Sequence, residues 1–241
     1  MKLLVTRPEP QNSELVVNLT QQGMHASGWP SLLIAPPTNW QEAEHAMQHI
    51  GQDHLLAFVS QHAVVQLAKQ YDLSLWYEHP CFAIGKTTAE ALKQQGFQHV
   101  IYPDARADSE HLAVCIQQEI GTSKTVWIFR GQTGRDYLGG TLSGQGMTVH
   151  YVTAYHRLRN THLPDELHQR YDLIICTSLD GLKALYAAWD SDKQALISQP
   201  ITVASDTMLA WAQDHGFTTC HQLPSPSNPA IVAWCQNMIS P

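Results

Sequence analysis

The sequence predicts an α/β protein made of two doubly wound parallel-sheet domains. Three observations lead to this prediction. Short apolar runs alternate with amphipathic segments along the 241-residue chain, which is the pattern of βα units. Several segments of the first half recur, in the same order, in the second half. At roughly 150 residues per domain, 241 residues are enough for two medium-sized domains.

Six apolar runs are predicted as buried parallel strands, because turn residues bound each run and a helix-period segment follows it. They are LLVT (3–6), LLAFVS (55–60), CFAIG (81–85), TVWIFRG (125–131), LIICTS (173–178) and ITVAS (201–205). The segment after the second run has apolar residues at helical spacing, namely Ala63, Val64 and Leu67. This alternation is typical of a doubly wound sheet.

The repeats predict that one α/β domain was duplicated. AIGKTTAEALKQQGF (83–97) matches VASDTMLAWAQDHGF (203–217), with Thr87 on Thr207 and Gly96 on Gly216. Residues 3–24 match 126–147, and residues 55–68 match 173–186, at nearly the same offset. Each threonine is expected to cap the helix that follows. The alternative is that unrelated βα units resemble each other to this degree.

Composition excludes several classes of function. A net charge of −7 with no basic stripe argues against a nucleic-acid surface. No apolar run reaches the length of about 18 residues that spans a bilayer, and the N-terminal run is too short for a signal peptide, so we expect a cytoplasmic protein. The five cysteines form no C-x-x-C pair and are interpreted as reduced thiols. His45 and His49 share a helix face but lack a third ligand, which favours a solvated face over a metal site.

No Walker A loop, G-x-G-x-x-G, G-x-S-x-G or H-E-x-x-H motif is present. Instead, hydroxyl groups, glycines and arginines follow the predicted strands, just before helix N-termini that favour anions. We expect these residues to bind carboxylates or phosphates, with the glycines allowing close approach of the ligand. For the hydroxyl residues the alternative is plain N-capping, and for the arginines a structural ion pair or hydrogen bond. The candidates are Thr6, Arg7, Ser60, Gly85, Thr87, Arg130, Gly131, Thr177, Ser178, Ser205 and Thr207.

The whole chain resembles the uroporphyrinogen-III synthase family of tetrapyrrole biosynthesis. The resemblance rests on the order and spacing of several blocks rather than on any single one. The blocks are LVTRP (4–8), FVSQHAV (58–64), AIGKTTAEAL (83–92), IFRGQTGRDYLGGTLSGQG (128–146), AYHR (154–157), CTSLDGL (176–182) and LPSPSNPAIVAW (223–234).

The resemblance implies two flavodoxin-like domains joined by a two-stranded β linker, with the active site in the cleft between them. The first strand and helix would belong with the C-terminal half. The domains would be 1–36 plus 158–241, and 40–151, and the linker strands would be 31–37 and 151–157. Periodicity alone does not indicate this exchange, although both linker stretches are β-prone.

The resemblance also implies a lyase that closes linear hydroxymethylbilane into uroporphyrinogen III while inverting ring D through a spiro-pyrrolenine. No cofactor and no metal are implied. The partner would be the linear tetrapyrrole polycarboxylate. A monomer is expected, with a transient contact to hydroxymethylbilane synthase.

Tyr155 is the candidate proton donor, because it matches the family's tyrosine in the second linker. The alternative is an aromatic ring that only packs against the strands. His156 would point to the opposite strand face, and Tyr151 and Tyr171 are poorer candidates. Cys176 is not expected to act as a nucleophile, since the implied route needs none.

Other classes of function stay open at this point. A two-lobed α/β chain also describes a small-molecule binding protein without catalysis, or a bilobal glycosyltransferase. The first class normally carries a signal peptide, and the second is usually longer, with a nucleotide pocket that is not evident here.

Overall fold

A computed structural model of the chain describes residues 1–119, 124–134, 136–190 and 192–239. The chain divides into two compact units. Unit 1 comprises Met1–Leu33 and Leu158–Pro241, and unit 2 comprises Ile34–Arg157. Among the described residues, no helix combines the length and hydropathy needed to cross a membrane.

Strands and helices alternate along the chain. The strands are β1 (Lys2–Val5), β2 (His25–Gly28), β3 (Leu32–Ala35), β4 (Leu55–Phe58), β5 (Cys81–Ala83), β6 (Val100–Ile101), β7 (Thr125–Gly131), β8 (Thr148–Arg159), β9 (Leu173–Ile175), β10 (Ile201–Val203) and β11 (Cys220–Gln222). The helices are α1 (Gln11–Gln21), α2 (Gln41–His49), α3 (Gln61–Gln70), α4 (Lys86–Gln94), α5 (Ser109–Glu119), α6 (Tyr137–Gly144), α7 (Leu179–Ala188), α8 (Lys193–Ile197), α9 (Asp206–Asp214) and α10 (Asn228–Ile239).

The sheet of unit 1 has the order β11-β10-β9-β1-β2. Read from β2, this is the 2-1-3-4-5 order of flavodoxin-like sheets. Its pairings of β1 with β2 and β9, and of β10 with β9 and β11, are parallel. The predicted fold class of doubly wound parallel sheets is therefore confirmed.

The sheet of unit 2 has the order β3-β8-β7-β4-β5-β6. Its last five strands repeat the spatial order of unit 1, with β7 in the place of β1 and β8 in the place of β2. All six predicted strands are present. Five of them end one to three residues earlier than predicted. β2, β6 and β11 were not predicted from periodicity.

Both faces of each sheet are buried. In β4, Leu56 and Phe58 contribute to one core cluster, and Leu55 and Ala57 contribute to the cluster on the other face. In β1, Leu4 contributes to one core cluster, and Leu3 and Val5 contribute to the cluster on the other face. Continuous apolar runs, rather than alternating ones, are what such two-sided burial requires.

The sequence repeats mark equivalent places in the two sheets. Lys2 pairs with His25, and the equivalent Thr125 pairs with Thr148. Each matching helix ends at a glycine of positive φ: 79° at Gly23, 108° at Gly96, 87° at Gly146 and 87° at Gly216. The amide after each glycine bonds back to the carbonyl five residues earlier, which closes a Schellman motif. The repeated glycines are therefore helix stops.

The expected threonine caps are wrong. The N-cap of α4 is Gly85, and that of α9 is Ser205, whose hydroxyl accepts from the amide of Met208 at 3.3 Å. Thr87 and Thr207 are the second residues of their helices, and both are exposed. A residue that starts a helix in extended conformation has its hydroxyl near the free amides, whereas one already inside the first turn does not.

Candidate active site

A β-bulge distinguishes the ends of β7 and β8 in unit 2. Arg130 pairs with Thr153, but the next residue, Gly131, pairs with Tyr155, so Ala154 is an extra residue in β8. Ala154 and Tyr155 both belong to the same core cluster, whereas a regular strand would turn them to opposite faces. Bulges commonly redirect a side chain in this way. Here the bulge turns the Tyr155 ring over Gly131.

The space above two of the predicted glycines is filled by protein atoms. A Cβ on Gly131 would lie 2.8 Å from Cζ of Tyr155, and one on Gly85 would lie 2.5 Å from Cβ of Ala107. A side chain at either glycine would therefore collide with the protein itself. Gly131 makes room for the Tyr155 ring, and Gly85 makes room for the segment that precedes α5.

A cavity of about 340 Å³ lies at this edge of the unit 2 sheet. It brings together three of the predicted residues, Arg130, Gly131 and Tyr155, and leaves out Ser60, Gly85 and Thr87. Its walls are Val59, Ile84, Ala107, Asp108, Ser109, Glu110, Arg130, Gly131, Thr133, Gly134, Tyr137, Tyr155 and Arg157. The cavity therefore combines cations, carboxylates and hydroxyl groups around one phenol.

Arg130 is held at the cavity by contacts on several sides. Its Nη2 donates to the carbonyl of Gly134 at 2.8 Å, and its Nη1 lies 3.7 Å from Oδ1 of Asp136. The guanidinium lies 5.2 Å from the ring centre of Tyr151, whose hydroxyl donates to Asp136. Burial and this bond to the carboxylate raise the pKa of Tyr151 to about 12. The charge of Arg130 is thus fixed in position and partly balanced.

Tyr155 combines a buried ring with a hydroxyl that the described residues leave without a hydrogen bond. The side chain is 4% exposed. The His62 ring packs edge-on against it, with 5.6 Å between ring centres, and the Arg157 guanidinium lies 6.0 Å from its centre. Burial lowers the pKa of His62, and the charge of Arg157 lowers it further. A neutral imidazole and a guanidinium therefore flank a phenol that can bond to a ligand.

The beginning of α5 supplies the acidic part of the wall. Oδ1 of Asp108 accepts from the amide of His111 at 2.9 Å and lies 2.7 Å from the ring Nδ1 of the same residue. Nε of Arg106 lies 3.1 Å from the other oxygen. The bonds from His111 lower the pKa of Asp108. This carboxylate is therefore ionised and already paired.

Two predicted residues of unit 1, Thr6 and Arg7, are engaged by the protein itself. The buried Thr6 hydroxyl donates to the carbonyl of Ile175 at 3.0 Å. Nη1 of Arg7 donates to the carbonyl of Pro226 and to Oδ1 of Asn228, each at 2.6 Å. The alternative considered for Arg7, a structural hydrogen bond at the sheet edge, describes these contacts.

Three predicted serines are N-caps. Ser60 accepts from His62 N at 3.2 Å and begins α3, and Ser178 accepts from Gly181 N at 3.1 Å and begins α7. Ser205 begins α9. Thr177, beside Ser178, is half-buried. Helix capping explains the positions of these serine hydroxyls, and no ligand is needed to explain them. The helix N-terminal amides that the serines do not cap still point out of the helices.

The remaining candidates lie elsewhere. Tyr171 is buried and donates to the carbonyl of Leu167 at 3.1 Å, and burial raises its pKa. Burial also raises the pKa of Cys176, to about 12, which disfavours a nucleophilic thiolate. The His45 and His49 rings lie 4.0 Å apart, centre to centre, with their planes tilted by 32°. The part of the chain that the structure describes contains no group of three or more His, Cys, Asp or Glu that could hold a metal ion.

Sequence reasoning missed Arg157 and the acidic start of α5. The signal for Arg157 was present, because a residue two positions after Tyr155 shares its strand face. For Asp108 and Glu110 only the acidic start of a helix was visible in the sequence, and the fold alone brings that helix end to the cavity.

Comparison with known proteins identifies the family. The family model described as uroporphyrinogen-III synthase HemD matches residues 13–233. The uroporphyrinogen-III synthase of Salmonella typhimurium (strain LT2) is 32% identical over 243 residues, covering 96% of this chain and 98% of that protein. The Escherichia coli (strain K12) uroporphyrinogen-III synthase is 28% identical with the same coverage of both chains.

Solved structures agree on the fold. The uroporphyrinogen-III synthetase of Helicobacter pylori 26695 superposes with a TM-score of 0.60 at 15% identity, covering 99% of this chain and 100% of that one. A mutant uroporphyrinogen III synthase of Thermus thermophilus gives 0.54 at 14% identity, covering 99% of each chain. At such identities the superpositions show the fold alone. The family model and the full-length relatives decide the assignment over a binding protein without catalysis: this chain belongs to the uroporphyrinogen-III synthase family.

Proposed function

We propose that this member of the family is a hydro-lyase that converts hydroxymethylbilane into uroporphyrinogen III and water, with Tyr155 as the proton donor. The observation that carries the role of Tyr155 is its phenol, which makes no hydrogen bond to the described residues and lines a cavity together with two guanidinium groups. A phenol hydroxyl carries one proton, which it can donate to a departing hydroxyl group within hydrogen-bonding distance.

The reaction balances without a cofactor. Tyr155 donates a proton as the terminal hydroxyl leaves as water, and the substrate becomes an azafulvene cation. Ring D attacks through its substituted carbon to form a spiro-pyrrolenine, which fragments and closes again with ring D inverted. A pyrrole carbon then loses the proton that returns to the phenolate. The protein's main contribution is to hold the folded substrate, which is a task of proximity.

Substrate carboxylates are proposed to bind at the helix N-termini after the strands. In unit 2, Arg130 and Arg157 supply positive charge at the cavity wall. In unit 1, the free amides after Thr177–Ser178 and after Ser205 are the proposed acceptor sites, while Thr6 and Arg7 support them. The net charge of −7 does not oppose such binding, because charges more than about 8 Å away are screened at physiological salt.

Four further expectations, from the sequence and from the resemblance, stay proposals. The protein would act as a monomer in the cytoplasm, in transient contact with the hydroxymethylbilane synthase that supplies its substrate. The functional domain boundaries, 1–36 with 158–241 and 40–151, are part of the same set of predictions.

The test is incubation with freshly made hydroxymethylbilane, followed by chromatographic separation of the uroporphyrinogen isomers after oxidation. The proposed enzyme forms the type III isomer, whereas the uncatalysed closure forms type I. A binding protein without catalysis would leave type I as the product. That result in a folded sample would refute the proposed function.

A further inference from the structure

His156 follows Tyr155 directly but lines a different cavity, on the other side of β8. The walls of that second cavity include Thr38, Glu42, Gln132 and Thr153. The backbone amide of Thr38, in the segment after β3, donates to Nε2 of His156 at 2.7 Å. Nδ1 of His156 bonds to Oε1 of Gln132, in the segment after β7. The imidazole therefore bridges two segments that are distant in sequence.

These contacts specify the protonation state of the ring. A backbone amide always donates, so Nε2 must carry a free lone pair, and in a neutral imidazole the proton then sits on Nδ1. An Nδ1–H needs an acceptor, and the Gln132 carbonyl oxygen is one. The bond from the Thr38 amide therefore specifies a neutral Nδ1–H imidazole. The Thr38 hydroxyl, with Oγ1 3.1 Å from Nε2, is a second contact between the same two residues.

The bridge holds the bulge that orients Tyr155. The amide of Gln132 donates to the carbonyl of Tyr155 at 2.9 Å, which continues the ladder past the bulge. On the other side of the extra residue, the amide of Thr153 donates to Oε2 of Glu42, in α2, at 2.6 Å. Hydrogen bonds therefore fix the chain on both sides of the extra residue Ala154. One comes from Glu42 in α2, and the other comes from Gln132, whose side chain bonds to His156.

We propose that His156 is a positioning residue, whose neutral imidazole links Thr38 to Gln132 and so holds the bulge that places the Tyr155 phenol over Gly131. This inference rests on the proposed role of Tyr155.

The first test is a pair of variants with opposite expectations. His156→Leu removes donor and acceptor and should lower turnover of hydroxymethylbilane about 10-fold or more, since misplacing a reacting group by about 1 Å can cost up to 10²-fold. His156→Gln offers an amide oxygen and an amide N–H at a similar spacing and should keep turnover within about 3-fold of the wild type. His99→Leu, at an exposed histidine outside both cavities, is the matched control and should behave as the wild type.

The second test does not depend on activity. Long-range ¹H–¹⁵N spectra of ring-labelled wild-type protein report the tautomer, and His156, assigned by comparison with His156→Gln, should be Nδ1–H at pH 8. An Nε2–H tautomer overturns the proposal, even if His156→Leu fails to fold. A wild type that forms only the type I isomer, or a Tyr155→Phe protein with full turnover, contradicts the proposed function instead, and the tautomer still decides the bridge.

Discussion

Replacing Gly131 with alanine is the smallest change that should move the proposed proton donor. The added methyl group would lie 2.8 Å from Cζ, 2.9 Å from Cε2 and 3.1 Å from the hydroxyl oxygen of Tyr155. Carbon atoms in ordinary contact are separated by about 3.5–4.0 Å. The ring must therefore retreat by about 1 Å, because the backbone of β7 is fixed between β4 and β8.

The magnitude follows from that displacement. A shift of about 1 Å in a positioned group can cost up to about 10²-fold in rate, so we expect turnover of hydroxymethylbilane to fall about 10- to 100-fold. Overpacking of a buried site costs about 1–3 kcal/mol of unfolding free energy, which leaves a domain of ordinary stability folded. The loss of rate should therefore exceed the loss of folded protein.

The assay is steady-state turnover with separation of the isomers, beside urea unfolding of each variant. Two glycines serve as controls. Gly140→Ala, in α6, meets no atom within 4 Å and should leave both measurements unchanged, apart from a gain of up to about 1 kcal/mol in helix stability. Gly96→Ala meets the Tyr77 ring at 2.6 Å, in a backbone with φ of 108°, and should destabilise unit 2 without changing turnover of the folded fraction.

Wild-type turnover in folded Gly131→Ala would refute the reasoning, because the ring would then have moved without a kinetic effect. A fall in turnover matched by Gly96→Ala at equal loss of stability would refute it as well. In that case instability, and not the position of Tyr155, would explain the result.

Three further predictions concern single side chains. Tyr155→Phe should lower turnover about 10²-fold, which is the low end of the effect of a general acid. Product affinity and unfolding free energy should stay nearly unchanged, and the product mixture should contain more type I isomer. Full turnover would exclude the phenol as the proton donor. Ser205→Ala should cost about 0.5–2 kcal/mol in urea unfolding as a lost cap, whereas Thr207→Ala should be close to neutral, and the reverse order would mean that the cap is misassigned. The fold raises the pKa of Tyr151 to about 12, so the stability that its protonated phenol contributes is present below pH 10 and is lost between about pH 10 and 12. Tyr151→Phe should therefore flatten the dependence of unfolding free energy on pH in this range. An unchanged slope would contradict the raised pKa.

The positions of helices and buried strands could be predicted from the sequence because their signals are local. An apolar run such as LLAF at Leu55–Phe58 must be buried on both faces, and a glycine such as Gly96 must stop a helix, whatever surrounds it. The duplication could be detected for the same reason, because the repeated glycines end helices and the repeated segments end strands at equivalent places in each unit. Predictions that needed an accuracy of one residue, such as the threonine caps, failed because the N-cap of each helix lies two residues earlier.

The grouping of the candidate site was decided by the tertiary structure. Tyr155 and Arg130 lie on neighbouring strands 25 positions apart, and the wall is completed by the start of α5, which no spacing in the sequence connects to either. The bulge at Ala154 was equally hidden, because an extra residue in a ladder leaves no sign in the periodicity of β8. Its neighbours in β8 bond to Glu42 in α2 and to Gln132 after β7, which are distant in sequence. Local propensity follows from neighbours along the chain, whereas the direction of a side chain in a sheet depends on partners that only folding brings within hydrogen-bonding distance.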